Sequence, residues 1–87
     1  MEGFYPINIK VKERKVLIVG GGEVAFRKVK NLLSFGARIL VVSPGVLPEI
    51  ESMAGEGLIK LFQVKYNSTY LEGCCLVIGA TDDRKVN

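Results

Sequence analysis

Histidine is absent from the 87-residue sequence. With it go the imidazole ligands of a zinc site within this chain and any Cys/His nucleophile pair. Cysteine is scarce: Cys74 and Cys75 stand side by side, and neighbouring cysteines bridge only by straining the peptide between them. They read as two small residues at the start of a buried strand. Long apolar runs are also missing. None approaches the ~18 residues needed to cross a bilayer, and the polar, proline-containing beginning has no signal-peptide core. The expectation is a cytoplasmic protein with no membrane segment. No internal repeat, low-complexity tract or linker divides the chain, so residues 1–87 are expected to form one domain.

What is present is ordinary for a globular chain: 48% hydrophobic and 24% charged residues. The length is below the roughly 100–150 residues of a common domain, which leaves room for a single core. A net charge of +3 and a pI near 9.0 give a mild basic excess. Such an excess suits nucleic acid, a membrane surface, an acidic small ligand or simply solvent. No helix gathers arginines and aromatics into a reading surface, which speaks against nucleic acid as a partner. Lys10, Lys12, Arg14 and Lys15 read as a solvated hairpin.

The pattern of elements is more informative than the charge. Ile7, Ile9 and Val11 alternate with Asn8, Lys10 and Lys12, the period of a half-buried strand, and a turn over 12–14 follows. Val16 to Val19 is a continuous aliphatic run that suits a central parallel strand buried on both faces. Ala25, Val29, Leu32 and Leu33 then recur at helical spacing, and Gly36 provides a left-handed stop. A second strand over 38–43 leads through Pro44, Gly45 and Pro48 into a short helix near 49–53. A third strand is expected over 58–64, and a turn capped by Asn67 or Ser68 follows it. A fourth strand is expected over 74–80. Strands alternating with helices through short loops argue for a parallel α/β sheet. Right-handed crossovers give the strand order 3-2-1-4, a Rossmann-like first half whose ligand crevice lies between strands 1 and 4.

Gly20, Gly22 and Ala25 fit G-x-G-x-x-G/A between a strand and a helix, with Gly21 an additional glycine inside the turn. Gly20 permits the tight turn, Gly22 lets backbone N–H groups approach a pyrophosphate, and Ala25 keeps the helix close to the sheet. The helix N-terminus adds donors and partial positive charge. About 20 residues further on, where an Asp or Glu usually meets the ribose hydroxyls, stand Val42 and Ser43. Ser43 can hydrogen-bond a ribose hydroxyl without excluding a 2′-phosphate by charge. The residues alone therefore leave NAD and NADP open.

Beyond that motif, "FYPINIKVKERKVLIVGGGEVAFRKVKNLL", "GARILVVSP", "YLEGCCLVIGATDD" and the closing "VN" run in order along nearly the whole chain. In these features the sequence resembles the N-terminal NAD-binding part of the siroheme synthase and precorrin-2 dehydrogenase family. The resemblance implies oxidation of precorrin-2 to sirohydrochlorin with NAD as hydride acceptor and, in some members, insertion of ferrous iron. It implies a tetrapyrrole substrate rich in carboxylates and a homodimer in the full-length family. Carried over by position, Gly20, Gly22, Glu23 and Val24 would line the pyrophosphate and ribose. Ser43, Pro44 and Gly45 would meet the adenosine, and Ala80, Thr81 and Asp82 the nicotinamide side. In the family the chain continues past this point, and the aspartate implicated in catalysis lies in the continuation. The domain is therefore expected to be incomplete at its C-terminal side, with no catalytic residue and no metal ligand of its own. Asp82 and Asp83 read as loop or cofactor contacts, or as helix caps. Arg27 and Lys28 match the family pattern and would meet the acidic substrate, a neighbouring subunit or only solvent. The alternative function is a non-catalytic nucleotide-sensing module of the same fold.

Overall fold

A computed structural model describes residues 10–80. Four strands form one parallel sheet: β1 (Lys15–Val19), β2 (Arg38–Val42), β3 (Lys60–Phe62) and β4 (Leu76–Gly79), in the spatial order β3-β2-β1-β4. Helix α1 (Glu23–Ser34) joins β1 to β2, and α2 (Pro48–Gly55) joins β2 to β3. This is the order expected from the sequence. The turn at 12–14 is present, closed by an Arg14 N–H donating to the Val11 carbonyl at 2.8 Å. Of the strand expected over 7–11, all but the last two residues lies outside the described region; Val11 is buried in the core.

The sheet is arranged by its aliphatic runs. Val16, Leu17 and Ile18 of the central strand are fully buried, and each such side chain is worth roughly 1.5–3 kcal/mol of burial. Alternation sends Val16 and Ile18 to one face, where they meet Ile39 and Val41 of β2, Ala25, Val29 and Leu32 of α1, and Ile50 of α2. Leu17, Leu40 and Val42 point to the opposite face, against Val19, Tyr70 and Cys74. Both helices thus lie on one side of the sheet, as two right-handed crossovers running in the same direction require.

Helix α1 ends as its sequence suggests. Gly36 adopts φ +80°, and its N–H donates to the Leu33 carbonyl while that of Ala37 donates to Leu32, at 3.0 and 3.2 Å. These two bonds are a Schellman cap. Helix α2 begins with Pro48 in its first turn, where the missing N–H costs nothing.

Two strands differ from the expectation. The third is three residues long and pairs only Leu40–Val42. As an edge strand it has one neighbour to order it, and Leu58 and Val64 at its flanks are left 49% and 43% exposed. The fourth begins at Leu76, after the cysteines, and is not buried throughout: Leu76 and Ile78 pack on the helix-side core, whereas Val77 on the other face is 43% exposed. Cys74 and Cys75 are free and half-buried, and they pack against opposite faces of the sheet. Between β3 and β4 a 3₁₀ turn spans Ser68–Leu71, capped by the Asn67 Oδ1, which accepts from the Thr69 N–H at 2.9 Å.

Candidate functional site

At the carboxyl ends of the strands, the glycine turn after β1 touches both Ala80 at the end of β4 and the loop after β2. Gly20 takes φ +135°, a region that side-chain-bearing residues rarely enter. A Cβ there would lie 2.0 Å from the Ala80 carbonyl oxygen. Ala80 is buried and its N–H donates to the Val19 carbonyl at 2.8 Å. The turn therefore rests on the backbone end of β4, which brings together Gly20 and Ala80, two residues the sequence placed at one site.

Gly21 has a role that its sequence position does not announce. It is buried, and a Cβ on it would fall 2.2 Å from the Gly45 carbonyl oxygen and 2.6 Å from the Val46 Cγ1. Its own carbonyl accepts the Leu47 N–H at 2.8 Å. The segment after β2 is thus laid directly on the glycine turn. Val46 and Leu47 were not singled out from the sequence. Only the contact across two loops gives them a part in the site.

Gly22 is the N-cap of α1, extended at φ −95°, ψ −157°, and it offers no side chain to the helix end. The first bond of the helix runs from the Phe26 N–H to the Gly22 carbonyl at 2.9 Å. Geometry leaves the N–H groups of the first turn, Val24 and Ala25 among them, without an intrahelical acceptor. These donors, with the positive end of a 12-residue helix, form the kind of cradle that a pyrophosphate fills. Ala25, fully buried, holds the helix against the sheet. Glu23 is exposed in the same first turn, where a carboxylate favours the helix dipole.

On the β2 side, Ser43 is 8% exposed and its Oγ donates to the Gly45 carbonyl at 2.8 Å. The hydroxyl proton is turned into its own loop, and an oxygen lone pair is what it has to offer a ligand. The Ser43 N–H donates to Phe62 of β3 at 3.1 Å, so the loop is also tied at its root. Pro44 and Gly45 are exposed, and nothing lies within 4 Å of a Cβ built on Gly45. Thr81 and Asp82 lie outside the described residues. Arg27 and Lys28 are exposed on α1, beside Val24 and Asn31 along one open helix groove, away from the glycine turn's contacts with β4 and the β2 loop. Lys30 instead covers the Phe26 ring at 4.8 Å.

A glycine turn between a strand and a helix, at the point where the strand order reverses, defines a Rossmann-type nucleotide-binding domain. Residues 7–87 match a family model described as "Putative NAD(P)-binding", and the chain belongs to that family. It is 42% identical over 84 residues to the siroheme synthase of Chromobacterium violaceum and 44% identical over 84 residues to siroheme synthase 1 of Aeromonas salmonicida. In both comparisons 97% of this chain is covered, and the chain spans 18% of the relative's length. Among solved structures it is similar to the precorrin-2 dehydrogenase SirC, with a TM-score of 0.82 and 36% identity, over 97% of this chain and 42% of that one.

Proposed function

We propose that this domain binds NAD+ for the oxidation of precorrin-2 to sirohydrochlorin, as the cofactor-binding portion of a siroheme-forming enzyme. The observation that carries the reading is the open helix end at the switch point: Gly22 without a side-chain cap, beside a turn closed on Ala80. Similarity to siroheme synthases and to a precorrin-2 dehydrogenase supports the substrate and the choice of NAD.

In this reading the first-turn N–H groups of α1, with Gly20 and Gly22, hold the pyrophosphate by hydrogen bonds that need no cationic side chain. Glu23 and Val24 line the phosphate and ribose through their backbone. The Ser43–Gly45 loop shelters the adenosine, and its Ser43 oxygen accepts from a ribose hydroxyl. Ala80, with Thr81 and Asp82 beyond it, borders the nicotinamide. When bound, NAD+ supplies a hydride acceptor; the chain's own residues bind and orient it. The substrate is a carboxylate-rich tetrapyrrole, the protein acts in the cytoplasm, and the complete enzyme works as a homodimer. Among the described residues no helix is long and apolar enough to cross a membrane.

Calorimetric titration with NAD+, NADP+ and ADP, repeated on Gly22→Asp, tests the reading. Saturable NAD+ binding that the substitution abolishes is the expected result, because an added carboxylate would face the phosphates in the middle of their donors. A folded sample that binds no NAD+, or a Gly22→Asp chain that binds it unchanged, would overturn the assignment of this turn.

A further inference from the structure

We infer that Gly79, the last residue of β4, is the floor on which the nicotinamide ring of the cofactor lies, with its cross-strand partner Val19 beside it. This role rests on the NAD+ reading above and adds to it the face of the sheet that receives the ring and the residue that leaves room for it.

Ala80 has no side chain to offer at this end of the crevice. It is 1% exposed and its methyl belongs to the helix-side core, so what it presents to a ligand is backbone. One residue earlier the strand shows its other face. Leu76 and Ile78 pack toward the helices, and alternation places Gly79 with the exposed Val77 on the opposite side. Gly79 is exposed, and it stands directly across from Val19 in the β1–β4 ladder. Val19 is half-buried, belongs to that same face and immediately precedes the glycine turn. The next residue in the row, Val42 of β2, is fully buried. The carboxyl end of this face is therefore an apolar strip that ends, on β4, in a missing side chain.

The packing of the strand does not call for that gap. Glycine inside a strand costs stability relative to alanine. Gly20 and Gly21 have steric reasons to be glycine, since a Cβ on either would run into backbone. Gly79 has none: its φ is not positive, and among the described residues nothing lies within 4 Å of a Cβ built on it. A strand glycine without a bulge or bend marks a place where a ligand or another backbone comes close. Phosphates and adenosine have their places at the glycine turn and the Ser43 loop, and the part of the dinucleotide left over is a flat ring. Such a ring can stack on the bare peptide of Gly79 and rest its edge on the Val19 methyls, which a side chain at position 79 would prevent.

The test is calorimetric titration of the wild-type chain, Gly79→Ala and Gly79→Val with NAD+ and with ADP-ribose, which lacks the nicotinamide, alongside thermal unfolding of each. Both substitutions should raise the melting temperature, because they stiffen the strand without meeting a neighbour. Gly79→Val should nevertheless weaken NAD+ about tenfold and leave ADP-ribose unchanged, with Gly79→Ala between. Through-space NMR contacts should join the nicotinamide protons to the Val19 methyls in the wild type and vanish in Gly79→Val. A lowered melting temperature would show that the fold itself needs the glycine. That result, unchanged NAD+ binding by Gly79→Val, an equal loss of both ligands, or nicotinamide contacts elsewhere would each overturn the role given to Gly79. The cofactor reading fails in a different way. A wild-type chain that binds neither ligand removes the nucleotide site altogether, whereas binding of both that ignores position 79 leaves that site standing and removes only this floor.

Discussion

The Leu47 N–H donates to the Gly21 carbonyl at 2.8 Å and fastens the loop after β2 to the turn after β1. This bond sets how closely the loop after β2 lies against the glycine turn, and under the proposed function it sets the spacing of the walls that would meet the phosphates and the adenosine. It also explains why a third glycine stands between the two of the common motif. The Gly21 position faces the Gly45 carbonyl and Val46, and a side chain would push the walls apart.

Gly21→Ala should therefore damage the site, and Gly45→Ala should not. The added methyl at Gly21 meets backbone at 2.2 Å, which cannot rotate aside, whereas nothing lies within 4 Å at Gly45. We expect Gly21→Ala to cost about 2 kcal/mol of stability. NAD+ affinity should fall about tenfold or more, the equivalent of about 1.4 kcal/mol. Thermal unfolding and calorimetry on both variants decide it. Equal behaviour of the pair would show that the loops yield and that the interlock does not set the crevice.

The Ser43 hydroxyl bond to Gly45 predicts a positional effect on the adenosine side. Ser43→Ala removes a part-buried hydrogen bond, worth about 1 kcal/mol, and frees the loop. Affinity for NAD+ and ADP should drop together, while that for nicotinamide mononucleotide stays as it was. Ser43→Thr, which keeps the hydroxyl, should restore both. If Ser43→Ala weakens all three ligands alike, the loop acts on the whole crevice and not on its adenosine end.

At the far end of α1, Gly36→Ala separates stability from binding. Its φ of +80° is the left-handed cap of the helix, and a Cβ there would come closest to the Lys12 side chain, 3.2 Å from its Cγ, with the Lys12 Cα at an ordinary 3.8 Å. A flexible lysine gives way, so the penalty is conformational, about 1–2 kcal/mol. The melting temperature should fall and NAD+ affinity for the folded protein should not change. A weakened affinity in the folded variant would mean that the helix end communicates with the site.

Most of the fold could be read from residue patterns because its signals are local. The aliphatic run Val16–Val19 marks the central strand, the spacing of Ala25, Val29 and Leu32 marks a helix packed on one face, and Gly36 marks its end. Right-handed crossovers then leave little choice of strand order. What escaped the sequence depends on tertiary neighbours. β3 is short because it has a single partner strand, and β4 is half-exposed because its two faces are covered unequally. The geometry around the glycine turn was legible in the same measure, the binding of a cofactor there being the proposal made above. Gly20 and Ala25 do what their places in the motif require, and Ala80 stands beside the turn as expected. The inward turn of the Ser43 hydroxyl and the parts played by Gly21, Val46 and Leu47 arise from loop meeting loop, which has no period and no spacing to read.

Gly20→Ala should be the most damaging single methyl in the domain, because two separate penalties fall on it. At φ +135° an alanine is strained wherever it sits, and its Cβ would lie 2.0 Å from the Ala80 carbonyl oxygen. Relief by moving β4 would disturb the Ala80 N–H bond to Val19 at the end of the β1–β4 ladder, and relief by moving the turn would displace the α1 N-terminus. Either route joins backbone strain to a lost pairing, so a cost of about 3 kcal/mol or more is expected. Hydrogen exchange tells which element gives way. Faster exchange confined to the amides of β4 would mean that the turn holds and the strand yields, with NAD+ binding partly kept. Faster exchange through the first turn of α1, with binding lost, would mean that the cradle itself has moved. An alanine variant as stable as the wild type would contradict the close approach of Gly20 to Ala80, on which the closure of the crevice depends.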